Sequence, residues 1–505
     1  RAVGNEPSGS RHRSNYSFSR EQIRVSTTIL LFRQDLRIHD HPALTAAAKR
    51  GDVLPVFIYD EQVAGEWGFG GASQWWLHES LASLSASIES LGGQLLLRRG
   101  NTIETLIELQ ASTQADAIYF SRQYQPWSAG LEASINAEFT EKNVEVKRYP
   151  GTLLHEPGSV LTGSGTSFKV FTPFWRAANK LTAAIPVPLP DVSWAVTAAP
   201  TDVLVDWQLQ PSAQDRIPDW ADGWSALWRP GEDGAKEALD TFLEAPVAHY
   251  SEGRDLPAKR YTSRLSPHLK FGEISPRQVW AAAQQRKLSA PQWSSAIDKF
   301  LAEIGWREFC YQLIDLFDEM PNTPFKGQFA AFPWDNSEAQ LKAWQRGQTG
   351  YPIVDAGMRE LWQTGFMHNR VRMIVASFLT KHLLVHWVEG ERWFWDCLLD
   401  ADIASNACSW QWVAGSGADA APYFRIFNPI AQGQKFDPEG DYERRWCPEL
   451  AELPKKFIHA PWEAPALTLA SAGVELGTNY PMPIVDHKTA RQGALDAYEV
   501  IKKAS

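Results

Sequence analysis

Residues 400–429 gather an unusual concentration of groups able to do chemistry. Asp400 and Asp402 are followed by Asn406, the indoles Trp410 and Trp412, Asp419, and Arg425 inside Tyr423-Phe424-Arg425-Ile426-Phe427-Asn428-Pro429. Carboxylates accept hydrogen bonds, an amide both donates and accepts, and a guanidinium presents a fixed fork of donors. Indoles add flat stacking faces, and Gly415 and Gly417 allow a tight loop between them. Upstream, Glu303 lies three residues before Trp306, so one helical face carries a carboxylic acid beside a stacking surface. Glu303 and Arg307 are four apart, which is also the spacing of a plain surface ion pair. Met367-His368-Asn369-Arg370-Val371-Arg372-Met373 adds an amide suited to a base edge and two guanidiniums suited to phosphate.

Thr262-Ser263-Arg264-Leu265-Ser266 follows the turn-forming Arg254-Asp255-Leu256-Pro257. Hydroxyls and free backbone N–H groups at a helix start form either a phosphate cradle or an ordinary N-cap. The four cysteines (Cys310, Cys397, Cys408, Cys447) show neither CxxC nor zinc spacing. They are expected to be reduced thiols in a cytoplasmic protein that holds no structural metal.

The elements that must position these groups change character along the chain. Short apolar runs at Thr27–Phe32, Val53–Tyr59, Gln94–Arg98, Ala117–Phe120 and Val144–Arg148 alternate with helical stretches at Ala43–Lys49, Gln74–Leu91, Ile103–Gln110 and Ala129–Lys142. That alternation predicts a doubly wound α/β domain over residues 26–157. No Gly-x-Gly-x-x-Gly follows the first strand, so the fold alone places no cofactor there. Residues 158–231 lose periodicity and read as a connector. Residues 232–505 read as an all-helical domain. Residues 1–25, polar and rich in Arg and Ser, read as a disordered extension, whether tail, transit segment or cloning remnant. No apolar run reaches the ~20 residues of a membrane span. A net charge of −10 argues against a general nucleic-acid binder but leaves room for a local basic stripe.

Taken together, these segments resemble the cryptochrome/photolyase family, specifically its cyclobutane pyrimidine dimer photolyases, from residue 27 to about 499. The resemblance implies FAD held in the helical domain and DNA containing such dimers as substrate, acted on by a monomer. It implies flavin contacts at Tyr250, Thr262, Ser263, Arg264, Leu265, Ser266, Arg307, Arg372, Asp400 and Asp402, with Arg372 paired to Asp400. Asn406 takes the position facing flavin N5, where plant-type cryptochromes usually place Asp and insect ones Cys. The matching lesion contacts are Glu303, Trp306, Asn369, Met373 and Trp412. Trp410, Trp387 and Trp334 match an electron relay, from flavin outward. Arg254, Arg370, Arg425 and Lys435 match positions that grip the DNA backbone.

Gly70-Gly71-Ala72-Ser73-Gln74-Trp75-Trp76-Leu77 and Leu154-His155-Glu156-Pro157 look like class III photolyases and plant cryptochromes. That likeness implies a methenyltetrahydrofolate antenna with Glu156 as a ligand; 8-hydroxy-deazaflavin or an empty site are the alternatives. Two rival functions stand beside light-driven repair: a cryptochrome-type blue-light receptor, and a flavoprotein that binds DNA without repairing it. Asn406 favours repair, because an amide cannot donate a proton as a carboxylic acid does.

Overall fold

A computed structural model describes residues 26–210, 220–420 and 424–503. The expectation for residues 1–25 therefore lies outside the described residues. Five strands, β1 (Thr27–Phe32), β2 (Asp52–Tyr59), β3 (Leu96–Arg99), β4 (Ala117–Ser121) and β5 (Glu145–Tyr149), form one parallel sheet in the order β3-β2-β1-β4-β5. Thr28 pairs with Val53 on one side and Ala117 on the other, so β1 is central. Its sequence TTILLF is apolar on both faces because helices cover both. Those helices are α1 (Pro42–Arg50), α2 (Gly71–Ser90), α3 (Thr102–Thr113) and α4 (Ser128–Thr140). Asn101 caps α3 by accepting from the amides of Ile103 and Glu104.

The connector is not featureless. Ser193 and Ala195 hydrogen-bond either side of Val53 and lengthen the sheet where β3 has not yet begun. Helix α5 (Phe171–Ala178) then packs on the helical domain. Its aromatic and apolar residues lie on one face, but eight residues with a proline among them are too short for periodicity to declare them.

The rest is helical. The elements that build the site are α6 (Ser266–Phe271), α7 (Ser294–Leu316), α9 (Asn369–Ser377), α10 (Trp387–Cys397) and α11 (Ile403–Ala414), with α8 (Pro352–Thr364) and the C-terminal α12 (His487–Lys503) outside them. α11 packs on both α7 and α10. The largest buried cluster runs across both domains, from Phe32 and Trp76 to Trp387 and Trp410. No helix among the described residues is long and apolar enough to cross a membrane.

Candidate active site

One cavity of about 560 Å³ lies within the helical domain, walled by α6, α7, α9, α10 and α11. Helix α7 turns Phe300, Glu303, Ile304, Arg307 and Cys310 towards it, at the three- and four-residue spacing that keeps side chains on one face. Helix α9 contributes Asn369, Arg370, Arg372 and Met373, after His368 caps it by accepting from the Arg370 amide. Asp402 caps α11 through the Ser405 amide at 2.8 Å and also accepts the Tyr311 hydroxyl. This cap fixes the helix that carries Asn406, Trp410 and Trp412 into the cavity wall.

Charges in the wall are paired. Arg372 meets Asp400 at 2.9 Å, as expected, and its Nε donates to the Met367 carbonyl at 2.7 Å. Arg254 pairs with Glu303, and Arg370 with Asp255 at 3.0 Å. Arg254 and Arg370, both expected to grip the DNA backbone, are thus committed to carboxylates, since an unpaired guanidinium is costly in a half-desolvated wall. The surface pair allowed between Glu303 and Arg307 does not form: Glu303 goes to Arg254, and Arg307 donates to the Thr152 carbonyl at 2.6 Å. Arg425 and Lys435 are exposed; Arg370 lies 4.4 Å and Lys435 5.1 Å from the Phe436 ring, so these two flank one aromatic.

Thr262 to Ser266, with Tyr250, form another wall. Arg264 has a φ of +54°, which turns the chain sharply before α6. Its guanidinium stacks 3.9 Å over Trp228, and burial brings its pKa down to about 10. Asn406 is buried and donates its amide N–H to the Glu391 carbonyl at 3.0 Å. Trp306 stacks on Phe171 of α5, ring centres 3.7 Å apart. Trp410 is buried edge-on to Phe394, Trp387 is fully buried and Trp334 is half-buried. His386 stands beside both outer indoles, at 5.0 Å from Trp334 and 5.6 Å from Trp387.

Glu156 lies outside this cavity, bonded to the Tyr124 hydroxyl at 2.5 Å and to Arg122 at 3.0 Å. The sequence reading also missed wall residues: Lys270, Cys310, Met320 and Cys408. Lys270 follows the singled-out 262–266 segment by one helical turn, a spacing that would have found it. The two cysteines and Met320 carry no local pattern.

A parallel α/β domain joined to a helical domain with an acid-, amide- and indole-lined cavity defines a flavin-binding protein of the DNA photolyase architecture. Residues 28–191 match the family described as DNA photolyase, and residues 300–500 the one described as FAD binding domain of DNA photolyase. The chain is 50% identical to deoxyribodipyrimidine photo-lyase of Agrobacterium fabrum, over 96% of this chain and 100% of that one. It is 39% identical to cryptochrome-2 of Arabidopsis thaliana, over 92% of this chain and 77% of that one. A solved bacterial class III photolyase from Agrobacterium tumefaciens superposes with a TM-score of 0.92 at 49% identity, over 96% and 100% of the two chains. The chain belongs to the DNA photolyase/cryptochrome family.

That family brings FAD, and the cavity fits it. The buried Arg264 Nε and Asp400 Oδ1 find no hydrogen-bond partner among the described residues, as expected of groups reserved for a polar ligand. The walls join apolar surface to a few converging polar groups, the usual make-up of a cofactor site.

Proposed function

We propose that this chain splits cyclobutane pyrimidine dimers in DNA under blue or near-ultraviolet light, as a deoxyribodipyrimidine photo-lyase. The observation that carries this reading is that one cavity gathers every residue assigned to the lesion (Glu303, Trp306, Asn369, Met373, Trp412) beside those assigned to the cofactor. FAD, when bound and fully reduced, supplies the excited-state electron that opens the cyclobutane ring. The chain's own residues do the rest. The dimer leaves the duplex stack, a device that photolyases use, and lies against the faces of Trp306 and Trp412. Glu303 and Asn369 hydrogen-bond the pyrimidine edges and stabilise added negative charge there. Tyr250, residues 262–266, Arg307, Arg372, Asp400, Asp402 and Asn406 hold the cofactor. Trp410, Trp387 and Trp334 carry electrons inward to keep it reduced. Arg254, Arg370, Arg425 and Lys435 meet the DNA backbone, the first two exchanging carboxylate partners for phosphates.

For the antenna we propose methenyltetrahydrofolate, on the likeness of residues 70–77 and 154–157 to class III photolyases, with Glu156 among its ligands. Domain limits near residues 157 and 232 complete the reading. A blue-light receptor is the rival, and Asn406 speaks against it, because the amide nitrogen is already spent on Glu391 and offers no acidic proton.

The test is dimer content in ultraviolet-damaged DNA incubated with the purified protein, in light and in the dark. Loss of dimers in light alone is the expected result; equal content in both arms would sink the proposal.

A further inference from the structure

Lys270 lies near the C-terminal end of α6, and its side chain forms part of the cavity wall. It is 5% exposed. The ammonium nitrogen donates to Ser73 Oγ at 2.6 Å, and Ser73 belongs to α2 of the other domain. Three ring centres surround it: Phe271 at 4.7 Å, Trp395 at 5.3 Å and Phe69 at 5.4 Å. No carboxylate among the described residues comes within ion-pair distance of it.

The charged groups around Lys270 each hold another partner, Asp400 through only one of its two carboxylate oxygens. Asp400 and Asp402, the carboxylates that act on it electrostatically, hold Arg372 and Tyr311 respectively. Asp396, at the end of α10, accepts from the Gly71 amide at the start of α2. Beside it in sequence, His268 and Glu273 hold each other at 2.5 Å, and Glu273 also accepts from Trp76 Nε1. A cation without a counter-ion in such a place is costly. Burial outweighs the two distant aspartates and brings the amine's pKa down to about 7. Aromatic faces and one hydroxyl suit either form of the amine.

We propose that Lys270 is the counter-charge to the reduced, anionic flavin: its amine takes up a proton when the cavity gains negative charge and releases it on oxidation. The balance is two electrons from an external chemical reductant and one proton to the flavin ring, with a second proton, from solvent, bound at Lys270 Nζ. Oxidation returns both electrons and both protons. Lys270 is a positioning residue for charge, and the inference rests on FAD occupying this cavity.

The experiment is an anaerobic redox titration of the flavin in the holoprotein, from pH 6 to pH 9, for the wild type and Lys270→Met. In a two-electron couple each proton taken up contributes about 30 mV per pH unit. An opposite charge nearby raises an amine's pKa by ~1–3 units. Between about pH 7 and pH 9 the wild type should therefore shift by about 59 mV per pH unit and Lys270→Met by about 30 mV. Below that window the wild-type potential should lie above that of the variant, and the two should converge as pH rises. Equal slopes would overturn the proposal, including the case in which the proton is taken up when the oxidised cofactor binds. Should Lys270→Met hold no flavin, the wild-type slope decides alone, and one proton per two electrons overturns the idea. Flavin content measured beforehand separates this from failure of the FAD reading, which would show as no bound flavin in the wild type.

Discussion

Asn406 decides more about the chemistry than its size suggests. It is 8% exposed, and its amide nitrogen donates to the Glu391 carbonyl at 3.0 Å. An ionised aspartate there would set an oxygen lone pair against that carbonyl in a desolvated wall, so an aspartate at this position should stay protonated. Asn406→Asp is therefore expected to offer the half-reduced flavin a proton that the asparagine cannot. The check is the absorption spectrum during stepwise photoreduction. The variant should accumulate the protonated, long-wavelength-absorbing radical, whereas the natural protein passes on to full reduction. Identical spectra would show that the acid does not reach the flavin.

At the scale of elements, the site depends on how closely α10 approaches α11. Gly390 is the contact point: a Cβ there would lie 2.1 Å from Trp410 Cη2 and 2.7 Å from Leu379 Cδ2. Gly390→Ala must push the helices apart or turn the Trp410 indole, and overpacking of this kind costs ~1–3 kcal/mol. A lower urea midpoint together with slower flavin photoreduction is the expected pair of results; an unchanged midpoint would mean that the helices yield freely. The sequence could not have shown this, because Gly390 meets Trp410 only after α10 and α11 fold together. What was legible was local. Apolar runs marked all five strands to within about two residues, and the motifs at 262–266, 367–373 and 400–412 all reached one cavity. The rest depended on long-range contact. Arg254 finds Glu303 across 49 positions, and Phe171 of the connector comes to stack on Trp306. No spacing rule reaches across such separations.

For the whole molecule, buried carboxyls tie stability to pH. Glu308 on α7 holds the other domain by accepting from the amides of Leu154 and His155, at 2.9 and 3.1 Å. Burial raises its pKa to about 7, despite Arg307 beside it. Glu360 on α8 is likewise raised by burial to about 7, even while it accepts from the Tyr442 hydroxyl. Between the unfolded value of 4.5 and the folded value near 7 the native state binds more protons than the unfolded chain. The stability these groups contribute is complete below pH 4.5 and is lost as pH rises through 7. Asp35 behaves in the opposite sense. Burial alone would raise it, but His41 at 3.0 Å helps to hold it well below the ordinary range, so its contribution is lost only in acid. Glu308→Gln keeps an oxygen for the two amides and removes the titration. Its stability relative to the natural protein should climb by ~3 kcal/mol between about pH 5 and pH 8. Urea midpoints measured at each pH follow that difference. A gap that stays constant with pH would mean that Glu308 does not titrate in this range and that the interdomain bond alone sets its contribution.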